Sequence, residues 1–232
     1  MEMRIDAFLS KHGFASRRNA KDMIELRRVK LNGLDVEEIV RVDPDKDVVE
    51  IDGKVFDPKN HSLRYILFNK PLNVLSTTSD DRGRKTVLDY IKVSEKVYPV
   101  GRLDYNSTGL MLLTNDGDLA LKLTHPRYQV PKTYEVDVDK RPNEDQLREL
   151  AAGVEIYETK TSPAQVKVLG ERRLEIVIKQ GMKRQIREMC KAVNLRVVSL
   201  TRTRIGSLGL DGLGLGEFRD LTKEEIDKLR II

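Results

Sequence analysis

The chain carries one cysteine, Cys190, in 232 residues, no tryptophan, and three dispersed histidines, His12, His61 and His125. A lone cysteine excludes an internal disulfide framework, and the histidines form no cluster with metal-ligand spacing, so neither disulfides nor a structural zinc is expected to organise the fold. Long apolar runs are missing too. Stretches such as Leu110 to Leu113 are only a few residues long, against the roughly 20 needed to cross a bilayer. The start, Met1-Glu2-Met3-Arg4, has no apolar signal core. A soluble, cytoplasmic protein with no membrane segment is the expectation.

What the chain has in quantity is charge, at 34% against 39% hydrophobic residues. Forty-two Lys and Arg face 37 Asp and Glu, a net charge of +5, which suggests a polyanionic partner. Distribution says more than the total. Lys11 to Lys30 holds seven basic and two acidic residues, whereas Asp35 to Asp52 holds eight acidic and two basic ones. A second basic concentration, Lys183 to Arg204, sets seven Lys and Arg against Glu188 alone.

A strand-like run ends in Asp57-Pro58-Lys59-Asn60, turn chemistry with a helix-disfavouring proline, and a new apolar segment opens at Leu63. This predicts a small module over 1–58, a linker over 59–62 and a larger domain over 63–232. In the module, helices are expected at Ile5 to Lys11 and Ser16 to Arg28, with turns at Asn32-Gly33 and Asp52-Gly53. On the second helix Ser16 would be the N-cap. Ala20, Met23 and Ile24 would share an apolar face, and Arg17, Lys21 and Arg28 would fall within about 40° of each other as a basic stripe. In the larger domain, alternation over Thr133 to Val138 and Leu174 to Ile178 predicts half-buried antiparallel strands. Glu144 to Ala152 and Lys183 to Val193 read as helices, the second with Ile186, Met189, Cys190 and Val193 along one side and Arg184, Arg187 and Lys191 opposite. Thr222 to Glu225 offers a capping box for a last helix.

The most distinctive stretch is Gly101-Arg102-Leu103-Asp104-Tyr105-Asn106-Ser107-Thr108-Gly109-Leu110, which places a carboxylate in a polar loop between apolar runs. Asp104 could simply cap a turn. It could also act as nucleophile or base, in which case a cation such as Arg184 or Arg187 must keep it ionised when substrate excludes water. Tyr134 on an alternating strand would ordinarily be a packing residue, and Cys190, on the apolar side of its helix, a small core residue.

Four segments in order carry a resemblance: Asn69-Lys70-Pro71 with Val74-Leu75-Ser76-Thr77; Gly101 to Gly117 around Asp104; Lys132-Thr133-Tyr134; and Gly181 with Arg184-Gln185-Ile186-Arg187 and Met189. Together they resemble the motifs of ribosomal RNA pseudouridine synthases of the small-subunit synthase A and large-subunit synthase B type. Arg4-Ile5-Asp6, Phe8-Leu9, Ala15-Ser16-Arg17-Arg18 and Val29 to Gly33 are similar to the alpha-L RNA-binding module of a small-subunit ribosomal protein. Asn73 departs from the family pattern, standing where glycine is usual, but asparagine tolerates positive φ. Met182-Lys183 is a second departure, and the lysine adds a charge near the site.

The resemblance implies an α+β protein, a small RNA-binding module followed by a catalytic domain with a mixed, mostly antiparallel sheet. It implies site-specific isomerisation of uridine to pseudouridine in ribosomal RNA, with large-subunit RNA slightly preferred, and neither cofactor nor metal. Asp104 matches the catalytic aspartate, which attacks the ribose or takes a sugar proton while the glycosidic bond breaks. Tyr134 matches the tyrosine that stacks on the base, and Arg187 the arginine that pairs with the aspartate. Ile186 matches an apolar wall. Lys70, Arg102 and Arg184 are expected at the substrate, and Arg17, Arg18, Lys21 and Arg28 on RNA. The target uridine would be flipped out of its stack, and the protein is expected to act as a monomer. The alternative is a non-catalytic RNA-binding or ribosome-assembly protein that keeps the fold, although a pure binder gains nothing from a carboxylate near phosphates.

Overall fold

A computed structural model of the chain describes residues 2–15, 19–57 and 62–231. They divide into two compact units, one gathering Met1–Arg64, Val93–Tyr98 and Thr114–Asp118, the other Tyr65–Lys92, Pro99–Leu113 and Leu119–Ile232.

The first unit begins with β1 (Met3–Arg4), α1 (Ile5–Lys11) and α2 (Asn19–Glu25), then β2 (Val29–Leu31), β3 (Leu34–Asp35), β4 (Arg41–Val42), β5 (Val49–Ile51) and β6 (Lys54–Phe56). Strands β3-β2-β5-β6 form an antiparallel sheet and β1 pairs with β4. Asn32-Gly33 and Asp52-Gly53 all take positive φ, as two-residue hairpin loops require, and they close the β2–β3 and β5–β6 hairpins as expected. Ile5, Phe8 and Leu9 of α1 meet Ala20, Met23 and Ile24 of α2 over Val29, Val49 and Ile51. His12 packs its ring between Phe8 and Phe56, at 4.6 and 4.9 Å.

One expectation for this unit is corrected. Helix α2 ends at Glu25 rather than running to Arg28, because Arg27 turns left-handed at φ 53°. The amides of Arg27 and Arg28 then bond Ile24 O and Met23 O, a Schellman closure built on arginine where glycine is usual. Arg28 therefore leaves the helix and shares no stripe with Lys21. Its guanidinium grips Asp52 with two bonds of 2.6 and 2.8 Å, so its charge is already answered. Lys21 is exposed on α2. Ser16, Arg17, Arg18 and most of the linker fall outside the described residues. Segments 93–98 and 114–118, which follow the linker in the chain, pack with this unit. Asn115 donates to Ser62 O and accepts from the Arg64 amide, Lys11 pairs with Asp118 at 2.7 Å, and Tyr98 donates to Ser10 O.

The later elements are β7 (Tyr65–Lys70), β8 (Tyr98–Val100), β9 (Thr108–Thr114), α3 (Gly117–Thr124), β10 (Lys132–Val138), α4 (Glu144–Ala152), β11 (Glu155–Ile156), β12 (Thr159–Lys160), β13 (Gln165–Gly170), β14 (Arg173–Ile178), α5 (Gln185–Ala192), β15 (Val197–Ile205), β16 (Leu208–Gly209), β17 (Phe218–Asp220) and α6 (Lys223–Arg230). The fold is α+β, and its main sheet has the order β13-β14-β10-β15-β9-β7-β17. The pairs β13–β14, β14–β10, β10–β15 and β17–β7 are antiparallel, while β15 and β9 run parallel. Helices α4 and α6 start on the reciprocal caps of Asn143 with Gln146 and of Thr222 with Glu225.

The parallel pair forces a specific residue. Gly109 lies opposite Arg202 at φ +110°, and a Cβ there would sit 2.2 Å from the carbonyl oxygen of Arg202. We expect Gly109→Ala to destabilise the fold by about 3 kcal/mol, the upper end for overpacking a core, which lowers Tm by roughly 6–12 °C in a chain of this size. Calorimetry of both proteins checks this, and an unchanged Tm would mean the two strands can part freely.

Candidate active site

The face of the sheet that carries Tyr134 floors a cavity of about 520 Å³. Tyr134 and Lys132 are two apart on β10 and so share a face. Arg202 of β15 is the register partner of Tyr134, and Ile205 and Ile178 flank Lys132 on either side. These residues line the cavity with Leu200, with the loop Val100 to Asp104, with Ser107, and with Gly181 to Ile186 at the start of α5. A floor of isoleucine, leucine and tyrosine beneath polar walls is suited to a flat, partly apolar guest.

Asp104 stands half-buried on one wall, in a loop held from three directions. The Ser76 hydroxyl donates to Leu103 O at 2.7 Å and accepts the Leu103 amide at 3.0 Å. Asn73, at φ 60° as expected of an asparagine in a glycine position, donates its amide to Tyr105 O at 2.9 Å. The loop closes on itself through the Ser107 amide and Asp104 O. From α5, Arg187 Nη2 donates to Asn106 O at 2.7 Å and reaches Ser107 Oγ at 3.5 Å, while Arg184 Nη1 reaches Asn106 Oδ1 at 3.4 Å. Three of the four sequence segments thus converge on one turn, and the remaining one, Lys132-Thr133-Tyr134, supplies the floor.

Arg187 differs from its expected place. It forms no ion pair with Asp104 among the described residues; its guanidinium is spent on the loop carbonyl and on Val197 O at 3.5 Å. Burial and the charge of Arg184 push its pKa down, and the charge of Asp104 partly offsets this. Its Nε is buried without a partner. The arginine therefore shapes the loop and places positive charge near the carboxylate without covering it.

Lys70 also differs. It was expected at the substrate, yet it is 0% exposed, closed off at the end of β7. Its Nζ donates to Pro71 O and Val74 O, both at 2.9 Å, and so fastens the turn that holds the Asp104 loop. Burial lowers its pKa to about 8, against an upward pull from Asp104 and a further downward push from Arg202. Arg102, exposed, and Arg184, half-buried, line the cavity where they were expected, and Lys183 joins them. Arg184 is the left-handed N-cap of α5, which starts two residues later than the sequence pattern suggested. Ile186, 3% exposed, forms an apolar wall. Cys190 is fully buried with its thiol pushed up to about 12, the core residue its helix position implies.

Two cavity residues went unassigned in the sequence. Lys132 precedes Tyr134 within its motif, and the signal was its i, i+2 spacing, which puts both on one face. Arg202 carried no local signal, since only the pairing of β15 with β10 and β9 brings it in. A lone carboxylate on a fixed loop, an aromatic floor and a surplus of cations define a site for one flat base on an anionic chain.

Comparison with known proteins agrees. A family model described as RNA pseudouridylate synthase matches residues 64–192, and one described as S4 domain matches residues 3–44. Ribosomal large subunit pseudouridine synthase B of Bacillus subtilis (strain 168) is 38% identical over 99% of this chain and 96% of its own length. The dual-specificity RNA pseudouridine synthase of Escherichia coli (strain K12) is 40% identical over 99% of this chain and 79% of its own. A crystal structure of a pseudouridylate synthase superposes with a TM-score of 0.72 at 29% identity, covering 98% of this chain and 99% of that one. The chain belongs to the RNA pseudouridylate synthase family, with an S4 domain at its N-terminal end.

The depressed Lys70 makes stability depend on pH with a definite sign. Its pKa is 10.5 ordinarily and about 8 in the fold, so between those values the unfolded chain binds more protons and stability rises with pH; below pH 8 the cost of the buried charge is fully present. Lys70→Met carries no such cost. We expect the stability difference between the two proteins to shift by on the order of 1–3 kcal/mol in favour of the wild type as pH rises from 8 to 10.5. Urea unfolding of both across that window measures it, and parallel curves would exclude a depressed lysine.

Proposed function

We propose that this protein converts specific uridines of ribosomal RNA to pseudouridine, the large-subunit RNA being the preferred substrate. Membership of the synthase family supports the reaction, and the naming of the Bacillus subtilis relative supports the choice of RNA. The observation that carries the assignment to particular residues is the convergence of the sequence segments on the Asp104 loop above a floor bearing Tyr134.

In this reading residues 1–58 serve as an RNA-binding module and 63–232 as the catalytic domain. The cations at the cavity rim, Arg102, Lys183 and Arg184, hold the phosphates around a uridine that has left its stack, and Tyr134 recovers part of the lost stacking against the base. Asp104 attacks the ribose or removes a sugar proton as the N1 glycosidic bond breaks. The free uracil turns and rejoins the sugar through C5. The C5 proton is then lost, with Tyr134 as its acceptor, and N1 gains one, so product and substrate have the same composition. Ile186 confines the base while it is detached. Lys21, with Arg17 and Arg18, makes phosphate contacts; Arg28, engaged by Asp52, is left out of that set.

Asp104→Asn is expected to abolish turnover while leaving RNA affinity unchanged, because removing one negative charge cannot weaken phosphate contacts. Carbodiimide and reverse-transcription mapping of transcribed large- and small-subunit RNA, with filter binding alongside, reads both quantities. Residual turnover in the variant would remove Asp104 from the chemistry. Replacing Arg17, Arg18 and Lys21 together by alanine should make the slope of log affinity against log salt shallower by roughly 2, since each phosphate contact on single-stranded RNA contributes about 0.7. A slope equal to that of the wild type would take the module off the RNA.

A further inference from the structure

We propose that Lys132 and Arg202 form a cationic floor that carries the negative charge of the uracil while it is detached from the sugar. The proposal rests on the isomerase function above and assigns to it two residues not otherwise placed in the chemistry.

The charge balance of the cavity is the first observation. Among the described residues lining it, five are cations (Arg102, Lys132, Lys183, Arg184 and Arg202) and one, Asp104, is an acid. The rim cations stand toward solvent, where water answers them. Lys132 and Arg202 lie on the sheet beside Tyr134 instead. Arg202 is 2% exposed; its Nε donates to Leu110 O at 2.8 Å, and its Nη2 is buried with no partner. Lys132 Nζ reaches only the carbonyl of Val130, at 3.2 Å. Among the described residues neither forms an ion pair, and burial together with the charge of Arg202 makes Lys132 a weaker base than usual. Keeping a buried guanidinium and a half-buried ammonium side by side without an anion among the described residues is costly, and a fold needing only stability would place apolar residues there. The cost is recovered if a negative charge enters between them.

The second observation is where they stand. Arg202 faces Tyr134 across the β10–β15 ladder, and Lys132 is its neighbour on β10. A bulge interrupts that ladder between Thr133 and Tyr134, and both cations line the cavity together with Tyr134. When the bond from N1 to the ribose breaks, its electron pair leaves with the base, giving a uracil anion with charge spread over N1, O2 and O4. Bonding through C5 returns an electron pair to the sugar, the C5 proton is lost, and N1 is protonated, so no oxidant or other reactant is needed. Neutral uridine offers these cations only carbonyl dipoles, whereas the detached base offers them a full charge. Interaction that is strong only in the charged intermediate lowers the barrier rather than tightening binding.

The test uses the full-length protein and the transcribed RNA in which the wild type makes pseudouridine. Lys132→Met is expected to lower kcat about 100-fold, the loss typical for one donor to a developing anion, with Kd for the RNA and its salt slope unchanged. Substituting 5-fluorouridine at the target makes a more stable leaving anion, so the deficit of Lys132→Met, read as loss of 5-fluorouridine after nuclease digestion, should shrink at least several-fold. Arg202→Lys, which keeps a cation inside the sheet where truncation threatens folding, should lose far less kcat than Lys132→Met; a loss as large would overturn the proposal. Full kcat in Lys132→Met overturns the proposal. So does a raised Kd with a shallower salt slope, which would make these cations phosphate contacts, and so does an undiminished deficit on 5-fluorouridine. Absence of product from the wild type would sink the isomerase function itself, a result distinct from each of these.

Discussion

The site depends on one hydroxyl. Ser76 both donates to and accepts from the backbone of Leu103, and this pair of bonds fixes the peptide that precedes Asp104. A loop tethered only at its ends would let the carboxylate sample many positions, and placement errors near 1 Å are costly in catalysis. Asn73 and Arg187 add bonds on the far side of the same residue, so the turn is held before and after the carboxylate. Lys70 completes the support from beneath by bonding the two carbonyls that shape the turn bearing Asn73 and leading to Ser76. The polar bonds that hold this loop are thus made to backbone atoms, and among the described residues the carboxylate oxygens of Asp104 take no hydrogen bond.

That economy has an electrostatic counterpart. Buried cations under and beside the cavity outnumber the single acid, and their pKa directions agree: Lys70, Lys132 and Arg187 are all pushed down, with burial as the largest cause in each. Of these only Lys132 lines the cavity; Lys70 and Arg187 lie behind the Asp104 loop, bonded to backbone carbonyls. An RNA strand and a base that becomes an anion during reaction are guests of the required sign. The apolar part of the wall, Leu103, Ile178, Ile186, Leu200 and Ile205, lowers the local dielectric and strengthens each of these interactions once water has left.

The parts of this fold legible in the sequence were those whose signal is local. The hairpin turns at Asn32-Gly33 and Asp52-Gly53, the helix Glu144–Ala152 and the cap at Thr222 follow from residues within a few positions of one another. Asn73 was legible for the same reason, as a residue that tolerates the φ its turn needs. Helix α2 was overrun because it closes on Arg27 in a left-handed conformation, without the glycine that would have announced the end. The assignment of 93–98 and 114–118 to the first unit was illegible because it depends on Asn115 and Tyr98 meeting residues 53 and 88 positions away. In the site, motif order singled out Asp104, Tyr134 and Ile186, all of which line the cavity, but spacing along the chain does not say whether a cation touches a carboxylate or acts on it from a distance. Arg202, reached only through strand pairing, left no trace in sequence pattern.

The missing contact between Arg187 and Asp104 is itself informative. A carboxylate that must attack carbon or accept a proton is hindered by a guanidinium locked onto both its oxygens, because that pair has to break before reaction and the cost adds to the barrier. Charge held at a distance has the opposite effect, since it favours the ionised form and asks for no rearrangement. Lys70 is held apart from the carboxylate: its ammonium feels the charge of Asp104, yet its Nζ is bonded to Pro71 O and Val74 O. Arg187 does the same with its Nη2 turned to Asn106 O. The fold thereby keeps cations near the carboxylate while leaving, among the described residues, no salt bridge on it that would have to break first.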